Sequence, residues 1–215
     1  MEQNGNNGIS LRTYRTVDLM LLTLITCAVE IINILILKKA FTSELFTLSI
    51  VVPMSLIAIQ RWNVRGVAVA GLGAVAYCVA NNGGTASLVA YIGGNCFVLF
   101  NLLWYRKGMK QKISESKGLQ VLFTLTGFIA VEVGRTALGF IFEHNIKNIF
   151  LTYIVSDSLN IVLGIVIVLI AARQDHLFFD QTMYLRQIQE ERERNRKLQS
   201  TGGYHEEEQD DGSDT

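Results

Sequence analysis

Four charged residues stand inside otherwise apolar stretches of this chain: Glu30, Glu132, Arg135 and Asp157. A charge inside a bilayer is costly to bury and is a functional candidate by default. Glu132 and Arg135 are three residues apart, so on a helix they share a face and can pair. Asp157 can join the same guanidinium and close a triad. Asn33 and Asn95 add amides at similar depth, and Tyr77 and Tyr91 offer stacking surfaces. Three acids against one base leave excess negative charge. A neutral or cationic ligand, or protonation, would relieve it. Alternatively, Arg135 holds an anionic group on the ligand. The candidate substrate-binding set is therefore Glu30, Asn33, Tyr77, Tyr91, Asn95, Glu132, Arg135 and Asp157. The competing reading is that these groups pair among themselves and fix helix packing.

Recognisable catalytic chemistry is absent from the sequence. No Walker A run, HExxH, CxxC or GxSxG occurs. His144, His176 and His205 lie in separate segments and make no ligand set. Cys27, Cys78 and Cys96 form no spacing motif and read as packing residues. No catalytic residue, metal or cofactor is expected, and the chain reads as a non-enzyme. An integral-membrane enzyme built on Glu132 and Asp157 is the third reading, without a nucleophile to carry it.

The elements that position these residues are membrane spans. Of 215 residues, 50% are hydrophobic and only 18% charged, below the roughly 25% of soluble domains. Mean hydropathy is +0.31. Nineteen basic residues balance nineteen acidic ones, without the basic excess of a nucleic-acid protein. Six stretches approach the ~20 apolar residues of a transmembrane helix: 17–37, 45–60, 64–80, 86–105, 119–142 and 149–172. The second and third are short and separated by Gln60-Arg61-Trp62-Asn63. Loop charges set the orientation. With the N-terminus inside, nine Lys and Arg fall in inner segments before the tail and three (Lys38, Lys39, Lys147) in outer loops. The candidate charges then share an outer level. Lys38–Glu44 reads as a flap, and Asn81-Asn82-Gly83-Gly84-Thr85 as a flexible loop rich in backbone donors. Small residues in the third and fourth spans, Gly93 and Gly94 among them, suit close helix packing.

The expected fold is an all-α integral membrane protein with six transmembrane helices and both termini cytoplasmic. Residues 1–11 are a disordered N-terminus and 12–173 the membrane domain. Residues 174–199 form a cytoplasmic helix with acid-first pairs four apart (Glu190–Arg194, Glu193–Lys197). Residues 200–215 are an acidic disordered tail. The expected location is the cell (plasma) membrane.

One combination of motifs is familiar. A basic N-terminus (Arg12-Thr-Tyr-Arg15-Thr-Val-Asp18) leads into the first span. Pro53 begins a run to Ile59-Gln60-Arg61-Trp62, followed by a Gly/Ala-rich span from Gly66 and the sequence Gly93-Gly94-Asn95. Over residues 12–173 this resembles the substrate-binding S components of energy-coupling-factor (ECF) vitamin transporters. The resemblance implies six helices that bind a vitamin or related small molecule from outside. It implies a partner T component and two ATPase subunits that supply the energy. Where the family commonly carries Ala-x-x-x-Ala for the T component, this chain has Thr23-x-x-x-Cys27. Tyr184-Leu-Arg-Gln-Ile-Gln-Glu-Glu-Arg looks instead like the signalling helix of sensor kinases. The alternative reading is therefore a non-enzymatic sensor or assembly protein that signals through its C-terminal helix.

Overall fold

The computed structural model describes residues 11–40, 47–142, 146–174, 177–178 and 180–202. Residues 1–10 and 203–215 of the expected disordered ends, most of the flap and all three histidines lie outside these residues, whereas Leu11 and residues 200–202, expected in those ends, are helical. Among the described residues every regular element is helical. They are α1 (Leu11–Ala40), α2 (Val51–Trp62), α3 (Val67–Ala80), α4 (Thr85–Cys96), α5 (Met109–Glu115), α6 (Lys117–Gly139), α7 (Ile146–Arg173) and α8 (Gln181–Gly202). Tight 3₁₀ turns continue α2 over Asn63–Gly66 and α4 over Phe97–Gly108.

Among the described residues, five segments are long and apolar enough to cross a bilayer: Arg12–Lys39, Val51–Ala80, Thr85–Arg106, Lys117–Gly139 and Lys147–Arg173. Their exposed faces carry Leu, Ile, Val and Met, as along α1 at Met20, Leu21, Leu24, Ile32 and Leu35. Their buried faces carry the polar residues, among them Glu30, Gln60, Asn95, Asn101, Glu132, Arg135 and Asp157. A surface solvated by lipid requires this distribution, because unpaired polar groups there have no water to bond.

Val51–Ala80 is not a straight rod. Asn63 takes φ 54° and ψ −137°, a positive φ that Asn adopts more readily than most residues. The chain then folds back, so that Gly73 on α3 lies against Val51 at the start of α2. Gly66 is what allows the turn. A Cβ there would sit 2.3–2.7 Å from the backbone of Ala58 and Ile59. The two short expected spans are thus the antiparallel legs of one hairpin.

The second expected span is shorter in the structure than in the sequence reading. Residues 47–50 are not helical, and α2 begins only at Val51. Along α1, Asp18 bonds Arg61, Glu30 bonds the Ile50 N–H, and Lys38 bonds the Ala80 carbonyl. At 1.5 Å per residue these three levels are about 18 Å and 12 Å apart. The non-helical segment therefore lies well below the Lys38 end of the bundle.

Around the hairpin, α3 packs on α1 and α4, α4 on α6, and α6 on α7, while α2 lies against α7. The core between them includes Leu56, Ile59, Val98, Phe123, Phe128, Val131 and Val168. At the Asn63 end, Arg61 donates two 2.8 Å bonds to Asp18, and Trp62 Nε1 donates to the same carboxylate. Arg61 Nη1 also reaches the Leu177 carbonyl at 3.0 Å. Lys110 Nζ donates to Asn63 Oδ1 and to Asp180, at 2.8 and 2.7 Å. Burial pulls the Lys110 ammonium below its usual pKa, and Asp180 opposes that shift. Residues up to Asp180 form one compact unit and Gln181–Thr215 a second. The C-terminal helix therefore starts at Gln181, and 174–180 go with the first unit. Taken by itself, α8 has exposed charges from Glu190 to Lys197.

Gly66→Ala should destabilise the protein by about 1–3 kcal/mol, through forced overpacking of the hairpin turn. Gly71 has open space around it, so Gly71→Ala should be neutral or gain up to ~1 kcal/mol from helix propensity. Melting midpoints in detergent compare the two; equal effects would refute the role given to Gly66.

Candidate functional site

Two glycines bring α4 and α6 into near contact. A Cβ on Gly94 would lie 2.7–2.8 Å from the Arg135 backbone. A Cβ on Gly134 would lie 2.9 Å from the Gly94 carbonyl and closer still to the Phe97 ring. This is the small-residue approach of membrane helices. It sets Asn95 against Arg135. Asn95 Oδ1 accepts from Arg135 Nε at 3.0 Å and from Nη2 at 2.8 Å. Arg135 Nη1 donates to Glu132 Oε1 at 3.2 Å and to Asp157 Oδ2 on α7. The guanidinium also lies 4.6 Å from the centre of the Tyr91 ring. Tyr91 stacks on Tyr77 at 4.7 Å and meets the edge of Tyr153 at 5.9 Å.

The network continues from Asp157 into the non-helical segment. Asp157 Oδ1 accepts from the Thr47 hydroxyl at 2.8 Å and from Asn160 Nδ2 at 3.0 Å. Asn160 Oδ1 accepts the Ser49 N–H at 2.8 Å, and the Ser156 carbonyl accepts the Thr47 N–H at 3.1 Å. On the other side, Glu30 Oε1 accepts the Ser49 hydroxyl at 3.0 Å and the Ile50 N–H at 2.6 Å. Backbone outside a helix is tolerated at membrane depth only where protein satisfies it. Here α1 and α7 supply those partners. Glu30 also places a carboxylate at the positive end of α2.

Seven of the eight sequence candidates join this construction. Tyr77, Tyr91, Asn95, Glu132, Arg135 and Asp157 form one contiguous group, and Glu30 reaches it through Ser49 and Asn160. Asn33 stands aside, with a single 3.5 Å contact to the Leu48 carbonyl. Sequence reasoning missed Thr47 and Ser49 as partners, and Tyr153 as a ring neighbour. The signal was the alternation Thr47-Leu48-Ser49-Ile50, a period of two inside a segment read as helix.

The geometry limits the chemistry. Glu30, Asn95, Glu132, Arg135 and Asp157 are each at most 4% exposed. Every nitrogen of the Arg135 guanidinium makes at least one of these bonds, so an anion there would compete with partners already in place. The amides of Asn81, Asn82 and Gly83 are bonded to α3 carbonyls, so that loop does not offer them to a ligand. A cavity of about 140 Å³ lies elsewhere, between the start of α6 and the end of α7, beside Ser114, Lys117, Gln120 and Arg173. Among the described residues no group of three His, Cys, Asp or Glu is placed to hold a metal ion. Comparison with family models, curated proteins and solved structures finds no match.

Removing Arg135 strands the two buried acids that it bonds. Arg135→Ala should cost about 3–5 kcal/mol, the range for breaking a buried pair. The triple replacement Arg135→Met/Glu132→Leu/Asp157→Leu should cost less than the single one, because it leaves no such charge. Thermal unfolding of the three proteins in detergent is the check. A triple variant less stable than Arg135→Ala would show that the network does more than neutralise itself.

Proposed function

We propose that this protein is the substrate-binding subunit of an ECF-type importer in the plasma membrane. It captures a vitamin-like small molecule from the outer side. A partner T component and two ATPases supply the energy, since the sequence offers no Walker A motif. The observation that carries the reading is the charged network buried beside the non-helical residues 47–50 at the start of α2. Transporter sites are commonly built this way, from half-helix ends and unwound backbone at membrane depth. Tyr77 and Tyr91 give the site an aromatic wall, and Glu30 and the Glu132–Arg135–Asp157 group its polar contacts. Because most of the network's groups are buried and bonded to one another, the ligand enters by exchanging with bonds already made. In this reading the hairpin legs cross the membrane separately, which gives six crossings and places both termini inside.

A second reading draws support from the division of the chain into two units, with α8 in the smaller one. A sensor would pass a signal from the membrane unit to that helix.

Native mass spectrometry of the purified protein, followed by release of bound small molecules, tests the binding role. A stoichiometric vitamin-like mass is expected. Only lipid and a protein partner would favour the sensor. Deleting 181–215 should leave ligand binding and uptake intact; loss of uptake would count against the importer. For the topology, Asn63→Cys should react with an impermeant thiol reagent only from the cytoplasmic side, and Asn82→Cys only from outside. Labelling of both from one side would remove the six-crossing arrangement.

A further inference from the structure

The buried network contains more acid than base. Glu30 on α1, Glu132 on α6 and Asp157 on α7 face a single cation, Arg135 on α6. Among the described residues, other titratable groups near Arg135 are the phenols of Tyr77 on α3 and Tyr91 on α4 and the Cys78 thiol on α3, with Tyr153 on α7 against Tyr91; none of them brings positive charge. Fully ionised, the cluster would hold two uncompensated negative charges away from water, and a buried unpaired charge is strongly disfavoured.

The hydrogen bonding points to where one of these two charges is relieved. Glu132 Oε1 and Asp157 Oδ2 converge on the same nitrogen, Arg135 Nη1. Two carboxylates are both acceptors and cannot bond. Glu132 Oε2 is buried with no donor. The two acids are also unequally served. Asp157 accepts from Thr47, Asn160 and Arg135. Glu132 accepts one 3.2 Å bond, from Arg135. The better-solvated acid is the one that stays ionised.

We propose that the Glu132–Asp157 pair is a proton-binding site joining α6 to α7, with the proton carried on Glu132 and donated to the Asp157 carboxylate. The proton comes from solvent, and no other reactant is needed. Asp157 is also the anchor of Thr47 in the non-helical segment. Losing the proton therefore places two like charges in contact where α6, α7 and residues 47–50 meet. The packing of that region is proton-linked, whether or not a solute also binds there. Because the folded protein holds a proton that the unfolded chain releases, stability falls as pH rises through the loss of that proton.

Infrared spectroscopy of the full chain in detergent tests this directly. At neutral pH the wild type should show the carbonyl stretch of a protonated carboxylic acid, shifted in D₂O. The wild-type-minus-Glu132→Gln difference spectrum should contain that band. Asp157→Asn should also lose it, because one acid facing Arg135 no longer needs the proton. Raising the pH should remove the band and lower the wild-type melting temperature together, and Glu132→Gln should flatten that fall. Absence of any such band in the wild type overturns the proposal regardless of how the variants fold. So does a band that survives unchanged in Glu132→Gln.

Discussion

The pairing of Arg135 with groups on three helices organises this membrane unit. Its guanidinium bonds Asn95 on α4, Glu132 on α6 and Asp157 on α7, and lies over the Tyr91 ring. Hydrophobic attraction cannot order helices in a lipid solvent that is as apolar as their surfaces. Polar bonds and close packing supply the specificity instead. The Gly94–Gly134 approach belongs to the same device, since any side chain there would push Asn95 out of reach.

A second constraint follows from the break before α2. Residues 47–50 expose backbone donors that no helix satisfies, and at this depth water cannot substitute. Glu30, Ser156 and Asn160 take them up, and Thr47 passes the connection on to Asp157. The break and the charged network therefore support each other. Separating either from its partners leaves buried groups unpaired, which ties the start of α2 to the position of α7.

At the Asn63 end a different set of charges closes the bundle. Asp18, Arg61, Trp62, Lys110 and Asp180 link α1, the hairpin turn and α5 to the residues that lead towards α8. The two polar clusters are about 18 Å apart along α1, separated by the apolar core. Any rearrangement that moves α2 along its axis would strain both ends together.

The sequence by itself determined the class of element and the approximate level of each charge. Apolar length and helical spacing are local properties, so the membrane helices and the grouping of Glu132, Arg135 and Asp157 were legible. The tertiary structure decided which of those groups bond and where a helix stops. Thr47 finds Asp157 from 110 positions away, and Ser49 finds Asn160 from 111. Pattern reading extended the second span through 47–50 because those residues are apolar enough for a helix. They leave it because Glu30 on α1 and Asn160 and the Ser156 carbonyl on α7 take backbone bonds a helix would have made. The period of two over 47–50 marks the departure from a helix, but no local pattern records partners so distant along the chain.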